Sequence, residues 1–134
     1  MAVLINAFRE ELNKLGWTEG KNITIEYRFA EGKNDRLPEL AADLVRLKVD
    51  LIVVTGGPAP VAAKKATTTP IVMASGGDPV AAGVVTSLAR PGGNVTGLSS
   101  LNPELNTKRL EVLKDAIPKL SQVALLRQEA IPCK

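Results

Sequence analysis

A doubly wound α/β domain, with a mostly parallel open sheet and helices on both faces, is the fold this sequence predicts. Short runs rich in β-branched residues alternate with helix-period segments at the spacing of βαβ units, which requires right-handed crossovers. Hydrophobic residues make up 45% of the chain and aromatics only 3%, so the core is expected to be Ala, Val, Leu and Ile in aliphatic layers. A length of 134 residues has room for one domain, 1–134, and a single core, which argues against a two-lobed or multidomain machine within the chain.

Taken in order, Leu4, Ile5, Phe8, Leu12 and Leu15 fall at helical spacing opposite Arg9, Glu10, Glu11 and Lys14, and Gly16 supplies a stop. Its start is open: Asn6 is a candidate N-cap with Met1–Ile5 as a short strand before it, or the helix begins at the first residues. Asn22–Phe29 alternates Ile23, Ile25, Tyr27 and Phe29 against Thr24, Glu26 and Arg28, the period of a strand near a sheet edge with one buried face. Asn34 or Asp35 is expected to cap a second helix carried by Leu37, Leu40, Ala41, Leu44, Val45 and Leu47, with Pro38 in its first turn. Leu51–Val54 is a continuous apolar run of the kind buried on both faces in a parallel sheet.

Pro58–Thr67 reads as an Ala-rich helix, Ile71–Ala74 as a strand, and Asp78-Pro79 as the start of a short helix. The run from Arg90 to Asn94 has turn composition, and Val95–Ser99 reads as a third short strand. Pro103–Ile117 reads as a long helix with Leu110, Leu113 and Ile117 on its apolar side, and Gln122–Leu126 as a last strand.

Composition excludes several functions. The chain has no histidine, which removes histidine-based triads, histidine metal sites and imidazole pH switches. Its single cysteine, Cys133, permits neither an intrachain disulfide nor a thiolate metal cluster. No carboxylate pair, metal cluster or G-x-S-x-G elbow is present, so no catalytic residue, metal or cofactor is expected. The net charge of +3 comes from 17 basic and 14 acidic residues spread over both halves. Without a basic patch interleaved with aromatics, nucleic-acid binding is not expected. The longest apolar runs fall far below the ~20 residues that span a bilayer, and Met1–Ile5 is too short for a secretory signal.

Ligands of open α/β sheets lie beyond the carboxyl ends of the strands. There, Thr55-Gly56-Gly57-Pro58-Ala59-Pro60 combines close backbone approach with the N–H groups of a helix start, suited to a carboxylate or phosphate, with the Thr55 hydroxyl as an added donor. A tight strand-to-helix turn explains the same residues equally well. Ser75-Gly76-Gly77-Asp78-Pro79 repeats the design. Asp78 is the sole charged residue between Ala66 and Ala89; it serves as an N-cap, receives a ligand ammonium, or does both. The candidate ligand residues are thus Thr55, Gly56, Gly57, Ala59, Gly77 and Asp78, a set suited to an amino acid. Trp17 is either a stacking platform or a lid on the core, Lys64-Lys65 a solvated face, and the uncharged stretch an interior or an interface.

The run from Ala7 to Ile23, including Leu15-Gly16-Trp17-Thr18-Glu19-Gly20-Lys21-Asn22, then Glu26-Tyr27-Arg28, Arg36–Ala42, Gly77-Asp78-Pro79-Val80, Leu88–Gly97 and Lys108–Glu111 together resemble the ABC-transporter substrate-binding proteins. The resemblance is to the branch with tryptophan- and tyrosine-type members. It implies an aromatic or other amino acid as ligand, an ABC permease as partner and a periplasmic or membrane-anchored extracellular location, whereas the chain as written has no signal and reads as cytoplasmic. It covers the first lobe only, so a truncated ligand-binding lobe with the second lobe absent is expected. The alternative is a stand-alone effector-sensing or self-associating interaction module without a transport role. The family's sheet order places a first strand between Ile23–Phe29 and Leu51–Val54. Met1–Ile5, direct pairing of those two strands, or an element swapped from a second copy would have to fill that place, and a homodimer or domain swap is expected.

Overall fold

The structure, a computed structural model, describes residues 2–100, 102–119 and 122. Its centre is a parallel sheet of β1 (Ile52–Thr55), β2 (Ile71–Ser75) and β3 (Val95–Gly97) in the order β1-β2-β3. β1, the helix α3 (Ala59–Ala66) and β2 form one βαβ unit, with α3 packed on β1 and β2 and the helix α2 (Leu37–Arg46) packed on α3. This is the expected α/β architecture: an open parallel sheet with helices.

The core is aliphatic, as the composition requires: Ile52, Val54, Ala63, Ile71, Met73, Val84, Val85 and Val95 are buried, with Leu44, Val49, Ala59 and Val61 packed around them. Ile71, on the middle strand, is fully enclosed, a burial that stabilises by roughly 1.5–3 kcal/mol. The stretch between Ala66 and Ala89 thus lends Ile71, Met73, Val84 and Val85 to the interior, while most of its other residues are exposed. At β1 burial is one-sided, not two-sided: Ile52 and Val54 point inward while Val53 is 41% exposed. The reason is that α3, whose Ala63 joins the core, covers the face carrying Ile52 and Val54, while no described helix packs comparably on the face carrying Val53.

Asp78-Pro79 does not open a helix. A single turn forms, with Ala82 N–H on Asp78 O, and left-handed Gly83 (φ +70°) ends it. The chain then turns Val84 and Val85 into the core, so the β2–β3 crossover fills space with two β-branched side chains where a helix was expected. Lys64, on the solvated face of α3, ties this turn down by donating from Nζ to Gly83 O. At the opposite end of the sheet, the Asn94 amide donates to the carbonyls of Thr67 and Thr69 and fastens the α3–β2 connection to the start of β3.

Residues 2–30 form an arm. Helix α1 (Ala2–Lys14) begins at the first residues, so no Met1–Ile5 strand forms. It ends as Gly16 predicts: Gly16 (φ +90°) donates to Asn13 O and Trp17 N–H reaches back to Leu12 O, the two bonds of a Schellman cap. Its expected buried stripe is largely open, since Leu4 and Leu15 are exposed and only Ile5 and Leu12 are half-buried. Asn22 shapes the loop that follows, its Oδ1 accepting from Thr18 N–H and its Nδ2 donating to Gly16 O.

Asn22–Phe29 runs without a ladder partner; its one bridge joins Ile23 to Glu19. The alternation places Tyr27 and Phe29 on one face, where their rings stack at 6.2 Å. Pairing fails because neither Met1–Ile5 nor β1 lies against this backbone, so two of the three expected ways to fill the gap do not occur.

Two smaller expectations also change. Asn34 and Asp35 belong to a 3-10 turn, Asn34–Arg36, and α2 starts at Leu37 without a side-chain cap, Pro38 being at its N-terminal turn as expected. The apolar side of α4 (Asn102–Ala116) is open, with Leu110 and Ile117 exposed and Leu113 half-buried. The expected strand Gln122–Leu126 lies outside the described residues except for Gln122, which belongs to no regular element.

Candidate ligand-binding site

The carboxyl ends of β1 and β2 carry the two loops singled out by sequence, and backbone bonds join them to each other and to the segment after β3. Gly56, left-handed at φ +72°, turns the chain out of β1 and donates its N–H to Ser75 O at 3.0 Å. The register shift between Val54 and Thr55 pairs Thr55 with Ser75 and brings the two loops level. From the third strand, Ser100 donates both its N–H and its Oγ–H to Gly76 O, each at 2.9 Å. The rim is thus one surface formed by Thr55-Gly56-Gly57, Ser75–Asp78 and Ser100.

The structure places Thr55, Gly56, Gly57, Gly77 and Asp78 exposed on this rim, with Ala59 half-buried in the first turn of α3. The donor set is narrower than the glycine pattern implies. Gly56 N–H is spent on Ser75, and Pro58 and Pro60 carry no N–H. Gly57, Ala59 and Val61 are the N–H groups left to face an anion.

Asp78 fills one of its two expected roles visibly. Its Oδ1 accepts from Val80 N–H at 2.9 Å and Ala81 N–H at 3.0 Å, capping the turn rather than a helix. Neither bond uses Oδ2. Ser75 belongs to a loop the sequence marks, but Ser100 was not legible as a rim residue. Ser100 stands 24 positions from its partner, and nothing in its neighbourhood marks it.

Trp17 is neither a lid on the sheet core nor part of this rim. It is half-exposed and lines a separate shallow hollow of about 90 Å³ with Arg9, Leu12, Thr18, Glu19 and Ile25. Arg9 and Glu19 neutralise each other across it in an ion pair of 2.8 Å. Among the described residues no cluster of three metal-ligating side chains occurs. No described helix is long and apolar enough to cross a membrane.

An open parallel sheet with glycine loops gathered at its strand ends places this chain in the class of α/β domains whose ligands, where they have them, lie at the carboxyl ends of the strands. Comparison with known proteins gives the family: residues 1–130 match the ABC transporter substrate binding protein family, and the chain belongs to it. It is 36% identical over 121 residues to the tyrosine-binding protein of Clostridioides difficile, covering 89% of this chain and 34% of that protein. A conserved domain protein from Vibrio cholerae superposes with a TM-score of 0.73 at 36% identity over 83% of this chain and 37% of the other. The ABC domain of a Streptococcus pneumoniae protein, solved with L-Trp, gives a TM-score of 0.65 at 32% identity over 70% of this chain and 32% of the other. A ligand-free, open substrate-binding protein with adhesive properties from Clostridium difficile gives 0.70 at 26% identity over 84% and 48%. The chain thus spans about a third to a half of the length of these relatives.

Proposed function

We propose that this chain is the first ligand-binding lobe of a substrate-binding protein for an aromatic or related amino acid, which an ABC permease receives. The observation that carries this reading is the joined rim, in which glycine loops from neighbouring strands meet through the Gly56–Ser75 bond in a chain of this family. The ligand carboxylate lies against the N–H groups of Gly57 and Ala59 with the Thr55 hydroxyl beside them. The ammonium meets Oδ2 of Asp78 near Gly77. The role is binding without catalysis, and its setting is extracytoplasmic. The relatives' tyrosine-binding name and L-Trp complex support the choice of ligand class.

The test is calorimetry with L-Tyr and L-Trp. Asp78→Asn keeps an oxygen for the Val80 and Ala81 N–H groups while removing the charge. Binding of either amino acid that weakens at least tenfold in this variant, about 1.4 kcal/mol, supports the reading. Absence of heat from the unaltered chain overturns it and leaves the interaction module. A second proposal, that the chain self-associates as a homodimer, is favoured by Thr24–Phe29 and the outer edge of β1, neither of which has a ladder partner among the described residues.

A further inference from the structure

The loop that carries Asp78 hangs from a single peptide group. Gly76 and Gly77 precede it, and with no side chain on either residue the pair is free to sample many orientations unless something holds it. Two contacts do. Beneath it, Met73 Cε lies 2.6 Å from the place a Cβ on Gly76 would take, so the glycine packs down on the core where a larger residue would displace Met73. Beside it, Ser100 gives Gly76 O two donors, its N–H and its Oγ–H, each at 2.9 Å. A carbonyl oxygen has two lone pairs, and Ser100 occupies both.

The direction of that carbonyl matters two residues further on. A peptide group is planar and trans, so holding Gly76 O toward Ser100 fixes the direction in which Gly77 and Asp78 leave the sheet. The turn itself does not set that direction. Asp78 accepts hydrogen bonds from Val80, Ala81 and Ala82, all inside its own turn, which shape the turn without aiming it. Between the segment after β3 and Gly76, the backbone alone supplies one bond, and the Ser100 hydroxyl, partly buried, supplies the second.

We infer that Ser100 is a positioning residue of the ligand site, which acts through Gly76 O to aim Asp78 Oδ2 at the amino group of the bound amino acid. The proton of its hydroxyl is committed to Gly76 O, so Ser100 works through the loop rather than by donating to the ligand. The inference rests on the amino-acid reading proposed above. It adds that the ammonium end of the site is held by the third strand's segment, while the carboxylate end, at Thr55, Gly57 and Ala59, belongs to the loop after β1.

Calorimetry with L-Trp and with indole-3-propionate, which lacks the amino group, tests it. Ser100→Ala removes the hydroxyl and keeps the N–H bond, so the far-UV circular dichroism spectrum should be unchanged. Affinity for L-Trp should fall about three- to tenfold and that for indole-3-propionate by less than about twofold. In Asp78→Asn the same substitution should add nothing, as expected of two residues that act on one contact. Ser100→Thr, which retains the hydroxyl, should bind L-Trp as the unaltered chain does. Amide exchange supplies a readout that needs no variant: coupling is reciprocal, so L-Trp should protect the N–H groups of Ser100, Val80 and Ala81 together. An equal loss for both ligands, a full Ser100→Ala effect in Asp78→Asn, or protection of Val80 and Ala81 without Ser100 overturns the positioning role while the ligand reading stands. Absence of L-Trp and L-Tyr binding to the unaltered chain overturns the ligand reading, and the positioning role with it.

Discussion

The sheet body and the N-terminal arm are equally apolar to the eye and differ completely in what they bury. From Ile52 to Val95 the chain encloses a cluster of eight apolar side chains, with Ile71 fully buried among the other seven. From Val3 to Ala30 it encloses none, although Leu4, Phe8, Leu12, Leu15, Ile23, Ile25 and Phe29 follow helix and strand periods. The periods specify a face in both regions; only the body supplies something to cover it. In the body each strand finds its neighbour across one connection, a βαβ crossover from β1 to β2 and a helix-free one from β2 to β3, whereas the arm's extended segment has no ladder neighbour among the described residues.

Substitutions placed in the two regions sharpen that contrast. The largest effect is expected at Gly97, which combines φ +132° with backbone atoms of Met73 where a Cβ would lie. Gly97→Val should part β3 from β2 and cost more than about 3 kcal/mol, read as a collapse of the urea midpoint. Ile71→Ala follows, at about 2–5 kcal/mol, because the cavity would open in the middle of the sheet. Asn94→Ala removes both side-chain bonds to the α3–β2 connection and should lower stability by about 1–2 kcal/mol. Smallest is Leu15→Ala in the arm: the side chain is 75% exposed, and the thermal midpoint should move by no more than about 0.5 kcal/mol allows. A Leu15→Ala loss comparable to that of Ile71→Ala would show that the arm is packed after all.

The legible parts of the fold are those decided locally. β1, α3, β2, β3 and α4 lie within about two residues of their sequence-based bounds, because Gly-Gly-Pro, Pro70 and the Arg90–Asn94 turn punctuate them. Gly16 stops α1 for the same reason. What escaped was relational. Alternation over Asn22–Phe29 reports a strand-like side-chain pattern, and ladder pairing is a property of two segments. At Asp78 the capping chemistry was legible, but left-handed Gly83 followed by Val84-Val85 ends the turn before a helix forms. Of the rim, the glycine loops and Asp78 were readable and come together at the strand ends. The cost of the prolines in donors, and the contribution of Ser75 and Ser100, emerge only from the hydrogen bonds.

The aromatic residues follow the same division with a practical result. Phe8, Trp17, Tyr27 and Phe29 are the only ones in the sequence, and all lie in the arm. Tryptophan fluorescence and near-ultraviolet absorbance therefore watch the arm alone, while peptide-bond dichroism is weighted toward the sheet and its helices. The chain carries its own pair of region-specific optical reporters. Denaturation curves recorded by the two will coincide only if arm and body unfold as a single cooperative unit.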